Sequence, residues 1–136
     1  KRTAVDVTLA AAVLLDTRGR TLLVRQTGGA GALFSRMWQF PALETTANAA
    51  SDLARYLNTN FEVGADVHLT PLEVARHTVT FRNIRLLPFV IRIARLPRMD
   101  GTRTAALEHL GKLAVSNATR KIARVALASL AKITSP

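Results

Sequence analysis

His68, His77 and His109 are the three histidines of this chain, and they are not spaced as a ligand pair. A zinc site needs three or four convergent ligands, so these read as surface or hydrogen-bonded histidines and no metal site is expected. Cysteine is absent, which excludes a thiolate metal site, an iron–sulfur ligand, a disulfide and a cysteine nucleophile within this sequence. Gly28-Gly29-Ala30-Gly31 is not a phosphate-cradling P-loop, because no Gly-Lys-Ser/Thr follows and no helix starts there. It reads as a connector. The chemistry that remains is cationic: 19 Lys+Arg against 9 Asp+Glu give a formal net charge of +10 at pH 7, and most of the basic residues are arginine. The planar guanidinium fork matches phosphate oxygens, so a polyanion is the natural partner class, with nucleic acid first. A solubilising basic surface is the competing reading.

Those residues must be positioned by a single domain, since 136 residues are one domain's worth of chain and 49% of them are hydrophobic, enough for a core. The longest apolar run, Leu9 to Leu15, is far too short to cross a bilayer, so no membrane partner is expected. The sequence enters that run from Lys1-Arg2-Thr3-Ala4-Val5 without a Met, which predicts a piece of a longer protein.

From Val5 to Leu15 apolar residues occupy both parities, the pattern of a central strand buried on two faces. Asp16-Thr17-Arg18-Gly19 is turn chemistry, and Thr21 to Gln26 completes a hairpin. Trp38 and Phe40 read as core aromatics ahead of Pro41. Thr46 or Ser51 is placed to cap a helix whose apolar face is Ala50, Leu53, Tyr56 and Leu57. Two strands are expected over Leu72 to Thr80 and Arg82 to Leu96. In the second, Ile84 and Leu86 differ in parity from Phe89, Ile91 and Ile93, so a β-bulge is expected near Leu87-Pro88. Pro97 to Thr104 reads as a polar connector. Ser116 is the expected N-cap of an amphipathic helix reaching about Ile133, with Arg120, Lys121, Arg124 and Lys132 on its basic face. That face, with Arg92 and Arg95, reads as solvated surface, although the helix start near Ser116 could meet a phosphate. The element order is that of an α/β domain.

Three strings in register resemble the carboxy-terminal domain of adenine DNA glycosylases, the MutY family. They are Leu22-Leu23-Val24-Arg25 with Leu33-Phe34 and Trp38-Gln39-Phe40-Pro41; Arg76-His77-Thr78 leading into a turn; and Leu113-Ala114-Val115-Ser116-Asn117 followed by Arg120-Lys121-Ile122. The resemblance spans residues 5 to about 127. It implies a Nudix-like fold, a mixed β-sheet flanked by α-helices. Active Nudix hydrolases carry a box of the form GX5EX7REUXEEXGU whose glutamates hold divalent metal. Between Pro41 and Gly64 this chain offers only Glu44, Asp52 and Glu62, so metal-dependent diphosphate hydrolysis is not expected.

In the family this domain recognises 8-oxoguanine opposite adenine in duplex DNA, while a separate catalytic domain of the same chain, holding a 4Fe-4S cluster, excises the adenine. The resemblance therefore implies a base excision repair protein of the bacterial cytoplasm and nucleoid, acting as a monomer, whose present segment holds no catalytic residue and no cofactor. The family's recognition loop, approximately RHTFSH, registers on Arg76-His77-Thr78-Val79-Thr80-Phe81. Arg-His-Thr is kept and Phe-Ser-His is not, so the family histidine's role is not transferred to His77. Oxidation at C8 turns guanine N7 into a donor and adds a carbonyl acceptor beside it, and a hydroxyl can address both changes. Val79, Thr80 and Phe81 are therefore the expected lesion-binding residues: Thr80 through its hydroxyl, Val79 and Phe81 through backbone groups, and the Phe81 ring by stacking. The plainer reading makes Thr80 a turn residue and Phe81 a core aromatic. Arg76, Arg82, Arg85 and Arg36 are the expected DNA-backbone contacts, which position without specifying. A divergent Nudix hydrolase of oxidised nucleotides, or a general basic scaffold, is the alternative.

Overall fold

The computed structural model describes residues 5–25, 37–64, 66–79 and 81–134. β1 (Val5–Leu15) lies at the centre, because its Ala10-to-Leu15 stretch is buried on both faces. It runs parallel to β6 (Arg82–Arg92) and antiparallel to β2 (Arg20–Val24) and β3 (Ala42–Glu44). β7 (Thr102–Ala106) extends the sheet beyond β2, and β4 (Thr70–Pro71) and β5 (Ala75–Val79) lie antiparallel along the outer side of β6.

The two parities of β1 feed two cores. Ala10, Ala12 and Leu14 pack with Leu22, Phe89 and Ile91 under Leu53, Leu57 and Phe61 of α1 (Ala49–Phe61). Ala11, Val13 and Leu15 pack with Leu23, Leu86 and Val90 under Ile122, Ala123 and Ala126 of α2 (Asn117–Thr134). Each helix covers one face of a mixed sheet, the α/β arrangement expected. Phe40 is buried in the α2-side core, and Trp38 packs against it with the Arg25 guanidinium 4.3 Å over its ring.

The second long strand corrects the expected slip. β6 pairs with β1 without interruption from Val5↔Arg82 to Leu15↔Arg92, so no residue is extra in β6. Ile84, Leu86 and Val90 face the α2 core while Leu87, Phe89 and Ile91 face the α1 core, because a strand buried on both faces needs no change of parity. The irregularity lies in the neighbouring segment. Pro71 pairs with Phe89 and Ala75 with Leu86, which puts three residues, 72–74, opposite two, 87–88. Leu72 N donates to Pro88 O at 2.8 Å, so the edge of Pro88 that lacks an N–H faces this interruption.

Other boundaries also differ. The connector expected to run to Thr104 ends at Thr102, where β7 begins. β7 is polar because it is an edge strand, and its register from Arg20↔Ala106 to Val24↔Thr102 was set by the need to pair β2. Leu107–Lys112 then forms a 3₁₀ segment. Neither Thr46 nor Ser51 caps α1. The helix starts after Asn48 with no side-chain cap, and the Thr45 hydroxyl instead donates to Asp52 Oδ2 at 2.8 Å. Ser116 does cap α2: Thr119 N donates to its Oγ at 3.1 Å, and Arg120 N to its carbonyl at 3.0 Å.

Candidate nucleic-acid interface

The β5–β6 hairpin closes at Val79↔Arg82, and Phe81 lies in the turn beyond that pair. Thr80 lies outside the described residues. Phe81 adopts φ 59, the left-handed region that a bulky side chain occupies at a cost of order 1–3 kcal/mol. It is 51% exposed, so it is not a core aromatic. Its carbonyl accepts from Val5 N at 2.8 Å, tying the tip to the start of β1, where Val5 is exposed beside it. Two large apolar residues therefore stand in water at one pole of the sheet.

Behind the tip, strand register sorts the arginines. Arg76 sits directly opposite Arg85, and Thr8 of β1 is the next residue across. The adjoining row is Thr78, Asn83 and Asp6, with Asn83 Nδ2 donating to Asp6 Oδ1 at 3.3 Å. Both rows are on the α1 side of the sheet, but α1 covers only the half of β1 from Ala10 onward. The uncovered half forms an open cleft of about 410 Å³ lined by these polar residues. Like charges directly opposite on neighbouring strands repel, and among the described residues neither Arg76 nor Arg85 has a carboxylate partner. An anion laid across them removes that penalty. Arg82 does not join this pair: it shares the parity of Ile84 and Leu86 and belongs to the α2 side. Arg36 lies outside the described residues.

His77 is buried on the α2 side of β5, and Lys121 reaches it from α2, its Nζ 3.2 Å from His77 Nδ1 and donating to Arg76 O at 2.9 Å. Burial, and then the Lys121 charge, push the His77 pKa below its ordinary value, so the ring is neutral at pH 7 and Nδ1 serves as acceptor. His77 therefore braces the strand that carries Arg76.

The acids of the α1 region do not form a metal cradle. Asp52 is engaged by Thr45, Glu62 is the left-handed residue ending α1 at φ 56, and Glu44 is exposed at the end of β3. Among the described residues no three His, Asp or Glu side chains converge. These residues do not fit a divalent ion.

Compared by sequence, the chain matches no protein family and no curated protein. Compared by structure, it is similar to the C-terminal domain of mouse MUTYH, seen in complex with human PCNA (TM-score 0.74, 20% identity, 90% of this chain and 88% of that one). It is also similar to the E. coli ORF135 protein (TM-score 0.75, 14% identity, 98% and 96%). A third likeness is to a MutT Nudix hydrolase from Burkholderia pseudomallei (TM-score 0.67, 16% identity, 88% and 97%). The fold is Nudix-like: a mixed β-sheet flanked by α-helices.

Sequence reasoning missed Asp6, Thr8, Thr78 and Asn83 as the lining of the cleft. The signal was there in part, since a hairpin closing at Val79↔Arg82 puts Arg76 opposite Arg85. The contribution of β1 depended on its parallel pairing with β6, which no local pattern encodes.

Proposed function

We propose that this chain is a lesion-recognition domain of the MutY type, which binds duplex DNA containing 8-oxoguanine opposite adenine and acts with an adenine-excising domain of the same parent protein. The observation that carries the reading is the exposed, conformationally strained Phe81 at the end of the hairpin whose strands pair Arg76 with Arg85, neither with a carboxylate partner among the described residues. In this reading Phe81 stacks on or wedges against a base, the Thr80 hydroxyl and neighbouring backbone groups address the altered edge of the purine, and Arg76 and Arg85 hold a phosphate. Arg82 contacts the backbone on the far side of the tip. The parent is a base excision repair enzyme, and this domain contributes recognition without bond cleavage.

The Nudix hydrolases share the fold, which favours a nucleotide-hydrolase reading, but the scattered Glu44, Asp52 and Glu62 do not supply its metal ligands. Two measurements separate the readings. Fluorescence anisotropy with a duplex at 0.05 and 0.2 M salt should show affinity falling steeply, with a log–log slope of about 0.9 per phosphate contacted. A salt-independent affinity would contradict DNA-backbone binding. Phosphate release from a panel of nucleoside triphosphates with Mg²⁺ should stay at background, and turnover would establish the hydrolase instead.

A further inference from the structure

A second cationic cleft lies at the opposite pole of the sheet. The β1–β2 turn and the segment after β6 enclose about 660 Å³ lined by Arg18, Arg20, Arg95 and Arg98, with Asp16 as the acid among them. Asp16 does not neutralise the group. Its Oδ1 accepts the N–H of Arg18 and of Arg20, each at 2.9 Å, and its Oδ2 accepts Arg20 Nε at 3.0 Å. Burial alone would raise its pKa, but those N–H donors and the Arg20 charge outweigh it and hold the carboxylate below its ordinary value. Arg20 is thus compensated. Arg18, Arg95 and Arg98 are exposed and, among the described residues, have no carboxylate partner. Three uncompensated guanidiniums around one concavity focus positive potential there.

The cleft is distinct from the tip. β1 starts beside Phe81 and ends at Leu15, and eleven residues at about 3.3 Å each separate the two poles by roughly 35 Å. We propose that this cleft is a second phosphate-binding site, formed by Arg18, Arg95 and Arg98 around the Asp16–Arg20 pair. Its ligand chemistry is an anionic phosphate group with at least two non-bridging oxygens to share among the forks. Such a group comes from a phosphodiester backbone or from a free polyphosphate. The separation of the poles is close to one turn of B-form duplex, about 34 Å, so a flank of the same DNA is a geometrically suitable source.

The test follows backbone amide resonances of the whole chain during titration with sodium triphosphate, with a 12-base-pair duplex and with a 30-base-pair duplex. Shifts at residues 16–20 and 94–98 that vanish in the Arg95→Glu/Arg98→Glu chain establish the site. If triphosphate produces them, a free polyphosphate suffices. If only the longer duplex produces them, DNA is the source, and the double variant also lowers the salt slope for that duplex by about 0.9, the value for the one phosphate the forks share. Matched thermal transitions confirm folding, and Arg95→Ala/Arg98→Ala replaces the double variant if the transitions differ. Absence of shifts at these amides with all three probes, or shifts that survive the substitutions, overturns the proposal. Either result leaves binding at the Phe81 tip to be judged separately, from the resonances of residues 76–85.

Discussion

Among the described residues, the β1–β2 turn and the β5–β6 turn each place one residue in the left-handed region, and they do so by opposite means. At the first, Gly19 takes φ 77 without a Cβ to clash, and Asp16 ties the turn together through two backbone N–H donors and the Arg20 side chain. At the second, a phenylalanine takes φ 59 with half its surface in water. A glycine there would relax the backbone, and a polar residue would be better solvated. Under the proposed function the strain and exposed apolar surface retained together at the second turn serve contact with a ligand, whereas the hydrogen bonds of Asp16 order the first.

Substitutions sharpen this contrast. Asp16→Ala removes the hydrogen bonds that organise the structural turn and should destabilise the chain by about 2–3 kcal/mol in chemical denaturation, the partly exposed Arg20 pair adding little. Gly19→Val forces a β-branched residue into the left-handed region and should destabilise it by about 2 kcal/mol, leaving the affinity of the Phe81 tip for DNA unchanged. Phe81→Gly should do the reverse, raising stability by about 1 kcal/mol while weakening duplex binding measured by anisotropy. If Phe81→Gly lowers stability instead, the ring is a packing residue and the contrast between the turns fails.

Arg76→Ala/Arg85→Ala, which removes the two forks proposed to hold one phosphate, should reduce the salt slope of duplex binding by about 0.9 and relieve cross-strand repulsion rather than unfold the hairpin. The smallest effect is on pH. His77 is held neutral in the fold, so its contribution to stability is complete above its ordinary pKa of 6.5 and is lost as pH falls from there toward its lower folded value. Asp16 behaves alike below 3.8. Thermal melts from pH 7.5 to 5 should therefore decline for the natural chain and flatten for His77→Gln.

The elements legible in the sequence were those whose signals are local. Apolar residues on both parities announced β1 as central, Asp16 and Gly19 announced its turn, and Ser116 announced the start of α2. β7 was hidden because an edge strand of Thr-Arg-Thr looks like a loop until β2 is seen to need a partner. The parity change in β6 was read as a bulge because single-sequence patterning cannot tell a slipped strand from one buried on both faces. The tip residues Val79, Thr80 and Phe81 came from resemblance alone. The cleft between Arg18, Arg20, Arg95 and Arg98 was beyond reach: it exists because β1 and β6 run parallel, so that the segments leaving their carboxyl ends meet.

The proposed preference of the tip for an oxidised purine is tested most directly on the lesion itself. Affinities of the chain for two 30-base-pair duplexes, identical except for 8-oxoguanine or guanine opposite the same adenine, should favour the oxidised one. Thr80→Ala should remove about 1 kcal/mol of that preference, about five-fold, without altering the salt slope. Equal affinities for the two duplexes, or a preference that Thr80→Ala and Phe81→Gly both leave intact, would contradict it.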